Sequence, residues 1–249
     1  MSFKLEIIGF TIEGCLDAQA AGAYRIELCD NPGEGGTTPS YGFIKIAREK
    51  LQIQLYPIIR PRGGDFFFNA AEFEIMQADI IICKKLGCDG IVIGMLNVDG
   101  TVDIPRCRQL VELAYPMGVT FHRAFDRTND AFKAMEDIIA IGCERILTSG
   151  QKPNAIDGTD LIAALIKQAD DRIIIMPGSG VRSDNITTLA EKTGAVEFHS
   201  SARVFVNTKM NYVNSEMKES MTAVAVDKKE IEAIINSLKK ISTAEHKRS

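Results

Sequence analysis

Ala21-Gly22-Ala23-Tyr24-Arg25-Ile26-Glu27-Leu28-Cys29 is the stretch from which the fold can be read. A glycine stands where a helix must stop, and a β-type run follows almost at once. The same phrase returns as Leu86-Gly87-Cys88, Ile141-Gly142-Cys143 and Lys192-Thr193-Gly194-Ala195, each one to three residues ahead of another strand-like run. A glycine stop followed closely by a strand is the signature of an αβ loop. Reading outward for period two, the strand segments are Lys4–Gly9, Tyr24–Cys29, Ile53–Arg60, Gly90–Gly94, Val119–Arg123, Arg145–Ser149, Arg172–Met176 and Ala195–His199. Helical spacing lies between them, most plainly in Leu161, Ile162, Leu165, Ile166 and Ala169, which share one face. Asp17, Thr128 or Asn129, and Ser183 are the expected helix caps. Eight βα units of about 25 residues, with no Pro/Ser-rich linker, predict an α/β fold: a single (β/α)₈ TIM barrel over residues 1–203. A doubly wound open sheet has the same alternation, because strand order is invisible in sequence.

Residues 204–249 are expected to form a C-terminal extension. No element is legible over 203–226. From Asp227 to Ile241, Ile231, Ile234, Ile235, Leu238 and Ile241 mark an amphipathic helix, with Asp227 and Glu230 spaced as a capping box. It should pack on the barrel or on a partner subunit.

Composition sets the outer bounds. The 249 residues are 45% hydrophobic and 25% charged, enough for a large core and too apolar for wholesale disorder. A net charge of −4 offers no basic face for nucleic acid. Met1-Ser2-Phe3-Lys4-Leu5-Glu6 does not read as a signal peptide, and no apolar run approaches the roughly 20 residues that span a bilayer. Cys15, Cys29, Cys83, Cys88, Cys107 and Cys143 are scattered without CxxC pairs, as expected of reduced thiols in a cytoplasmic protein. No nucleic acid and no membrane partner is expected.

Strand parity then sorts the candidates. Ile26 and Leu28 form the face that should meet helices, so Arg25, Glu27 and Cys29 point into the barrel. The same parity sends Lys4, Glu6 and Ile8 inward on the first strand, Thr120 and His122 on the fifth, and Glu197 and His199 on the eighth. Buried ions must be paired, and Glu6, Glu27 and Glu197 against Arg60, Arg123 and His122 would allow it. Charged residues at strand C-terminal ends also mark the face where barrels do chemistry. Arg60 and Arg62, around Pro61 on a Gly-rich loop, are placed to clamp an anion. Gly178, Gly180 and Ser201, on the loops after strands seven and eight, together with Ser149, would add donors for a phosphate. Glu27 or His122, with Asp126, is placed to move protons. For a metal the rim offers Cys29, His122 and His199, a soft set acceptable to Cu(I) or Zn(II).

Five phrases, in order, resemble the CutC family, named for copper homeostasis. They are Tyr24–Cys29, Gly35-Gly36-Thr37-Thr38-Pro39-Ser40-Tyr41-Gly42, Ile59-Arg60-Pro61-Arg62-Gly63-Gly64-Asp65-Phe66, Phe121-His122-Arg123-Ala124-Phe125-Asp126, and Ile146-Leu147-Thr148-Ser149-Gly150-Gln151. The likeness runs from about residue 4 to residue 203. It implies a cytoplasmic barrel, a homo-oligomer (dimer or tetramer), and a Cu(I)-binding role. Ile8 stands where the family commonly has a cysteine, so a two-thiolate Cu(I) site cannot form there with Cys29. Phe67-Phe68 stands where the family often has a tyrosine. Three readings therefore stay open: a copper(I)-handling barrel, an enzyme acting on a small anionic or phosphorylated metabolite, and a scaffold whose interior charges only fill space.

Overall fold

The computed structural model describes residues 3–246. The last three residues of the expected 204–249 extension lie outside the described residues. The chain runs β1 (Lys4–Gly9), α1 (Ile12–Ala20), β2 (Arg25–Leu28), α2 (Tyr41–Lys50), β3 (Gln54–Pro57), α3 (Ala70–Lys85), β4 (Gly90–Ile93) and α4 (Ile104–Ala114). It continues β5 (Gly118–Phe121), α5 (Ala131–Ile141), β6 (Arg145–Thr148), α6 (Thr159–Ala169), β7 (Ile174–Pro177), α7 (Ile186–Thr193) and β8 (Glu197–Ser200). After the barrel come β9 (Arg203–Val206), β10 (Ala223–Val226) and α8 (Lys228–His246). All eight strands placed by period two are present, shortened by a residue or more at most ends. Among the described residues, no helix is long and apolar enough to cross a membrane.

The eight strands form a parallel α/β barrel built as two four-stranded ladders, β3-β2-β1-β8 and β4-β5-β6-β7. Between β3 and β4 the seam is carried by the Ile58–Val92 bridge and by Ile59 N–H donating to the Val92 carbonyl at 2.8 Å. At the other seam, Gly178 just past β7 lies against Leu147 and His199, where a β-carbon would force the Leu147 side chain to shift.

Alternation along the strands separates two cores. Ile26, Leu28 and their like join the large apolar cluster between strands and helices. Ile8, Cys29, Tyr56, Ile58 and Val92 form a smaller cluster inside the barrel. Gly142 and Gly194, the C-caps of α5 and α7, hold φ of 92° and 73°, a region a β-carbon disfavours.

Inside the barrel the charges pair differently from expectation. Register places Arg25 beside Glu6, and Glu6 beside His199. Arg25 donates to Glu6 through Nε and to Glu197 through Nη2 at 3.0 Å. Arg145 reaches the same Glu197 oxygen at 2.7 Å and Glu144 at 2.7 Å. Arg60, Arg123 and His122 take no part in this network. They sit near the rim, above the layer of strand-start residues where Glu197 lies.

Other expectations shift too. Thr11, not Asp17, caps α1, and Asp130, one residue beyond Asn129, caps α5 with both Phe132 and Lys133 N–H groups on its carboxylate. Ser183 caps no helix; its hydroxyl donates to Glu230 of α8 at 2.9 Å. That contact, with buried Ile231, Ile234 and Leu238, seats α8 on the barrel beside α7 and α1. The stretch with no legible element contains an antiparallel pair, β9 with β10.

Replacing Arg25 with Met should strand two buried carboxylates. We expect Arg25→Met to lower unfolding free energy by about 3–5 kcal/mol in a denaturant titration, and Arg62→Ala, on the surface, to cost under about 1 kcal/mol.

Candidate active site at the barrel mouth

At the C-terminal ends of the strands lies a cavity of about 1140 Å³. Two chemically distinct walls face it.

One wall is a proton-carrying chain on β8, β1 and β2. His199 Nδ1 lies 2.7 Å from Glu6 Oε1, and His199 Nε2 lies 3.7 Å from Glu27 Oε2. All three side chains are buried, and Glu27 and His199 line the cavity. Burial alone would raise Glu6, but the Arg25 charge and the His199 hydrogen bond bring its pKa down to about 2. For His199, burial opposes protonation, yet the Glu6 hydrogen bond and the Glu27 charge raise it above its ordinary value. Burial dominates at Glu27, whose pKa rises to about 7 despite the His199 charge. A carboxyl poised near neutrality and open to a cavity suits general acid–base work.

The other wall is made of donors. Arg60 is buried and gives Nη1 to the carbonyls of Glu34 and Gly36, at 2.7 and 2.9 Å, and Nη2 to Gly64 at 2.8 Å. Its guanidinium stacks on Phe66, 4.8 Å from the ring centre. No carboxylate among the described residues forms an ion pair with it, and its Nε has no hydrogen-bond partner there. Burial pulls its pKa down. His122 packs against the same Phe66 ring at 4.9 Å, and Gly94 leaves room for its imidazole. Burial, reinforced by Arg60, lowers its pKa to about 3. His122 Nε2 and Arg203 Nε complete the set: among the described residues, the buried side-chain polar atoms without a partner are these two and Arg60 Nε. All three residues line the one cavity.

Several sequence candidates sit elsewhere. Arg62 turns away from the cavity to Glu72 at 2.5 Å, Asp65 at 3.0 Å and the Phe67 carbonyl, because the N-cap of α3 puts Glu72 within reach. Cys29 is sealed in the inner apolar cluster, where burial drives its thiol pKa well up. Gly178 spends its N–H on the Thr148 carbonyl at 2.9 Å, while Gly180 and Ser201 do line the cavity. Ser149 lies beneath the mouth, bonded to Asp126, to Arg123 Nη2 at 2.9 Å and to the Lys152 carbonyl.

Asp126 has the fullest hydrogen-bond shell. Its carboxylate accepts from Thr148 Oγ1, from the Ser149 and Gln151 N–H groups, from Ser149 Oγ, and from Arg123 Nε at 2.8 Å. A carboxylate so occupied braces the loop after β6, and Asp126 also lines the cavity. The sequence reading missed Arg203 and Phe66. An arginine just past the eighth strand was a readable signal for the first; the second had none beyond its place after Gly64-Asp65.

An eight-stranded α/β barrel with a buried acid–imidazole chain and a donor wall at its C-terminal mouth is thus the class of protein present. The chain belongs to the CutC family, whose model matches residues 3–204. A CutC family protein of Chromobacterium violaceum is 53% identical over 208 residues, covering 84% of each chain. The crystal structure of a CutC protein from Streptococcus agalactiae, named for copper homeostasis, superposes with a TM-score of 0.77 at 34% identity, over 80% of this chain and 98% of that one. Phosphoribosylanthranilate isomerase of Thermotoga maritima, at 14% identity, shares the fold alone, with a TM-score of 0.59 over 96% and 99%.

The raised Glu27 has a thermodynamic consequence. Folding favours its protonated form, so its contribution is fully present below about pH 4.5 and is lost as pH rises through about 7. Glu6 acts oppositely, contributing above about 4.5 and losing that as pH falls to about 2. Unfolding free energy of the wild type should therefore fall by roughly 3 kcal/mol more than that of Glu27→Gln between about pH 4.5 and 7.5.

Proposed function

We propose that the barrel mouth binds a small anionic or phosphorylated metabolite and performs acid–base chemistry on it, with Glu27 as the group that moves the proton. The observation carrying this reading is that three residues lining one cavity, Arg60, His122 and Arg203, each hold a buried donor without a partner among the described residues, at Nε, Nε2 and Nε respectively. A buried donor without an acceptor costs about 1–3 kcal/mol, and more when it is charged. Three of them around one space favour a ligand rich in acceptor oxygens. Arg60 adds a cation whose Nη groups are held by neutral carbonyls, with the Glu34 and Asp65 carboxylates near it in the cavity wall. His122, neutral and in direct contact with the cavity, serves as a donor rather than as a base.

Copper(I) as cargo is the reading favoured by the family's name. The residues do not fit that ion. Cu(I) takes soft thiolate and thioether ligands, whereas Cys29 is buried as a thiol and Ile8 supplies no second sulfur. The one ligand-rich group among the described residues is Glu6, Glu27 and His199, with Arg25 bonded to Glu6.

Two measurements test these readings. Inorganic phosphate or a phosphorylated metabolite should raise the melting temperature, adding about 2.7 kcal/mol at 100 times its dissociation constant. Arg60→Ala should remove most of the shift, and a flat response to small anions at low salt would sink the proposal. Against a Cu(I) chelator the protein should compete weakly and Cys29→Ala should compete no worse. A tight stoichiometric site abolished by that change would restore copper.

A further inference from the structure

We infer that His122 is a fixed hydrogen-bond donor to a carbonyl oxygen of the ligand, and that the mouth catalyses enolisation, with Glu27 removing the proton from the carbon beside that carbonyl. This rests on the anion-binding reading above.

The imidazole carries the argument. Ala124 N–H donates to His122 Nδ1 at 3.1 Å, so Nδ1 is an acceptor and a neutral ring bears its hydrogen on Nε2. Nε2 is buried and has no partner among the described residues. Phe66 on one side and Gly94 on another hold the ring in place, and the short 3₁₀ turn Arg123–Arg127 carries the Ala124 donor. Burial and the Arg60 charge keep the ring neutral through the physiological range. A neutral imidazole in the cavity wall, with its Nε2–H unspent on the described residues, gives a hydrogen bond to an electron-rich oxygen and takes no proton in return. Its natural use is to stabilise charge that develops on that oxygen.

Enolisation needs two further parts, and both line the same cavity. Glu27 supplies a base near neutrality, opposed by its own burial and steadied by His199. Arg60 and Arg203 supply cationic donors for the ligand's anionic group. Among the described residues lining the cavity none is Lys or Cys, so activation of a carbonyl there falls to hydrogen bonding rather than to a Schiff base or thiohemiacetal.

The step balances within the site. The Glu27 carboxylate takes H⁺ from the carbon next to the carbonyl; that C–H bond breaks, and its electron pair forms the C=C bond. The carbonyl π pair moves to oxygen, where His122 Nε2–H holds the enolate. Glu27, now a carboxylic acid, returns the proton, or a deuteron gained from solvent D₂O, to the same carbon, and the oxygen's electron pair re-forms the carbonyl. Nothing is oxidised or reduced.

The test uses the whole protein with two probes, dihydroxyacetone phosphate and pyruvate. Binding is read by thermal shift, and proton exchange by loss of the probe's C–H signal in D₂O. Nitrogen-15 spectra of histidine-labelled protein, with His122 assigned by its Gln variant, report the tautomer. We expect a pyridine-type Nδ1 and a protonated Nε2 from about pH 5 to 9. We expect exchange into at least one bound probe, slowed about 10²-fold or more at saturating probe by Glu27→Gln and by His122→Phe. If neither probe shifts the melting temperature, the anion reading fails and this inference falls with it. If a probe binds without exchange, or if exchange survives Glu27→Gln, enolisation is overturned while anion binding stands. A His122 that is cationic or protonated at Nδ1 overturns the donor role by itself.

Discussion

The Arg25 guanidinium, buried in the lower layer of the barrel between Glu6 and Glu197, ties three neighbouring strands together. A bare cation there would be untenable, and so would two bare carboxylates; each is tolerable only because the others are present. From this knot the electrostatics propagate upward. Arg25 keeps Glu6 ionised, ionised Glu6 holds His199, and His199 meets the buried Glu27 at the cavity. The reactive-looking carboxyl at the mouth therefore owes its setting to an ion pair a layer below, which never touches the cavity.

Against this network, the rim arginines fall into two kinds. Arg62 and Arg123 are satisfied by carboxylates of their own neighbourhood, Glu72, Asp65 and Asp126. Arg203 and Arg60 are not, and Arg60 is held by carbonyls that fix its position without cancelling its charge. Asp126 shows the reverse case, a carboxylate whose donors saturate it so thoroughly that it serves as a brace. Position at a barrel rim is thus a poor guide to role; what matters is how much hydrogen-bonding capacity the protein has left unspent.

Strand identity and inward parity were legible because each strand has two faces with different duties. Ile26 and Leu28 had to meet helices, which left Arg25, Glu27 and Cys29 inside. The cavity position of Glu27, His122, His199 and Arg60 followed from that alternation together with strand ends. Partner choice was not legible. Whether Glu197 meets Arg25 and Arg145 or Arg60 depends on register, a relation between strands far apart in sequence. The turn of Arg62 toward α3 hinged on a helix cap, Asn69 with Glu72, that only the folded loop brings near. β9 and β10 escaped notice because each is four residues long and their pairing spans the long 207–222 connection.

The two-ladder construction of the barrel has a consequence for the site. Glu6, Glu27 and His199 ride on the β3-β2-β1-β8 ladder, while His122 and the Asp126 brace belong to the β4-β5-β6-β7 ladder. At the seams between these halves, β3 meets β4 through the Ile58–Val92 bridge and the Ile59–Val92 and Asp89–Leu55 backbone hydrogen bonds, and β7 meets β8 around Gly178. The cavity thus takes its acid–imidazole chain from one half of the cylinder and the His122 donor from the other, so it is closure of the barrel that brings them to one space.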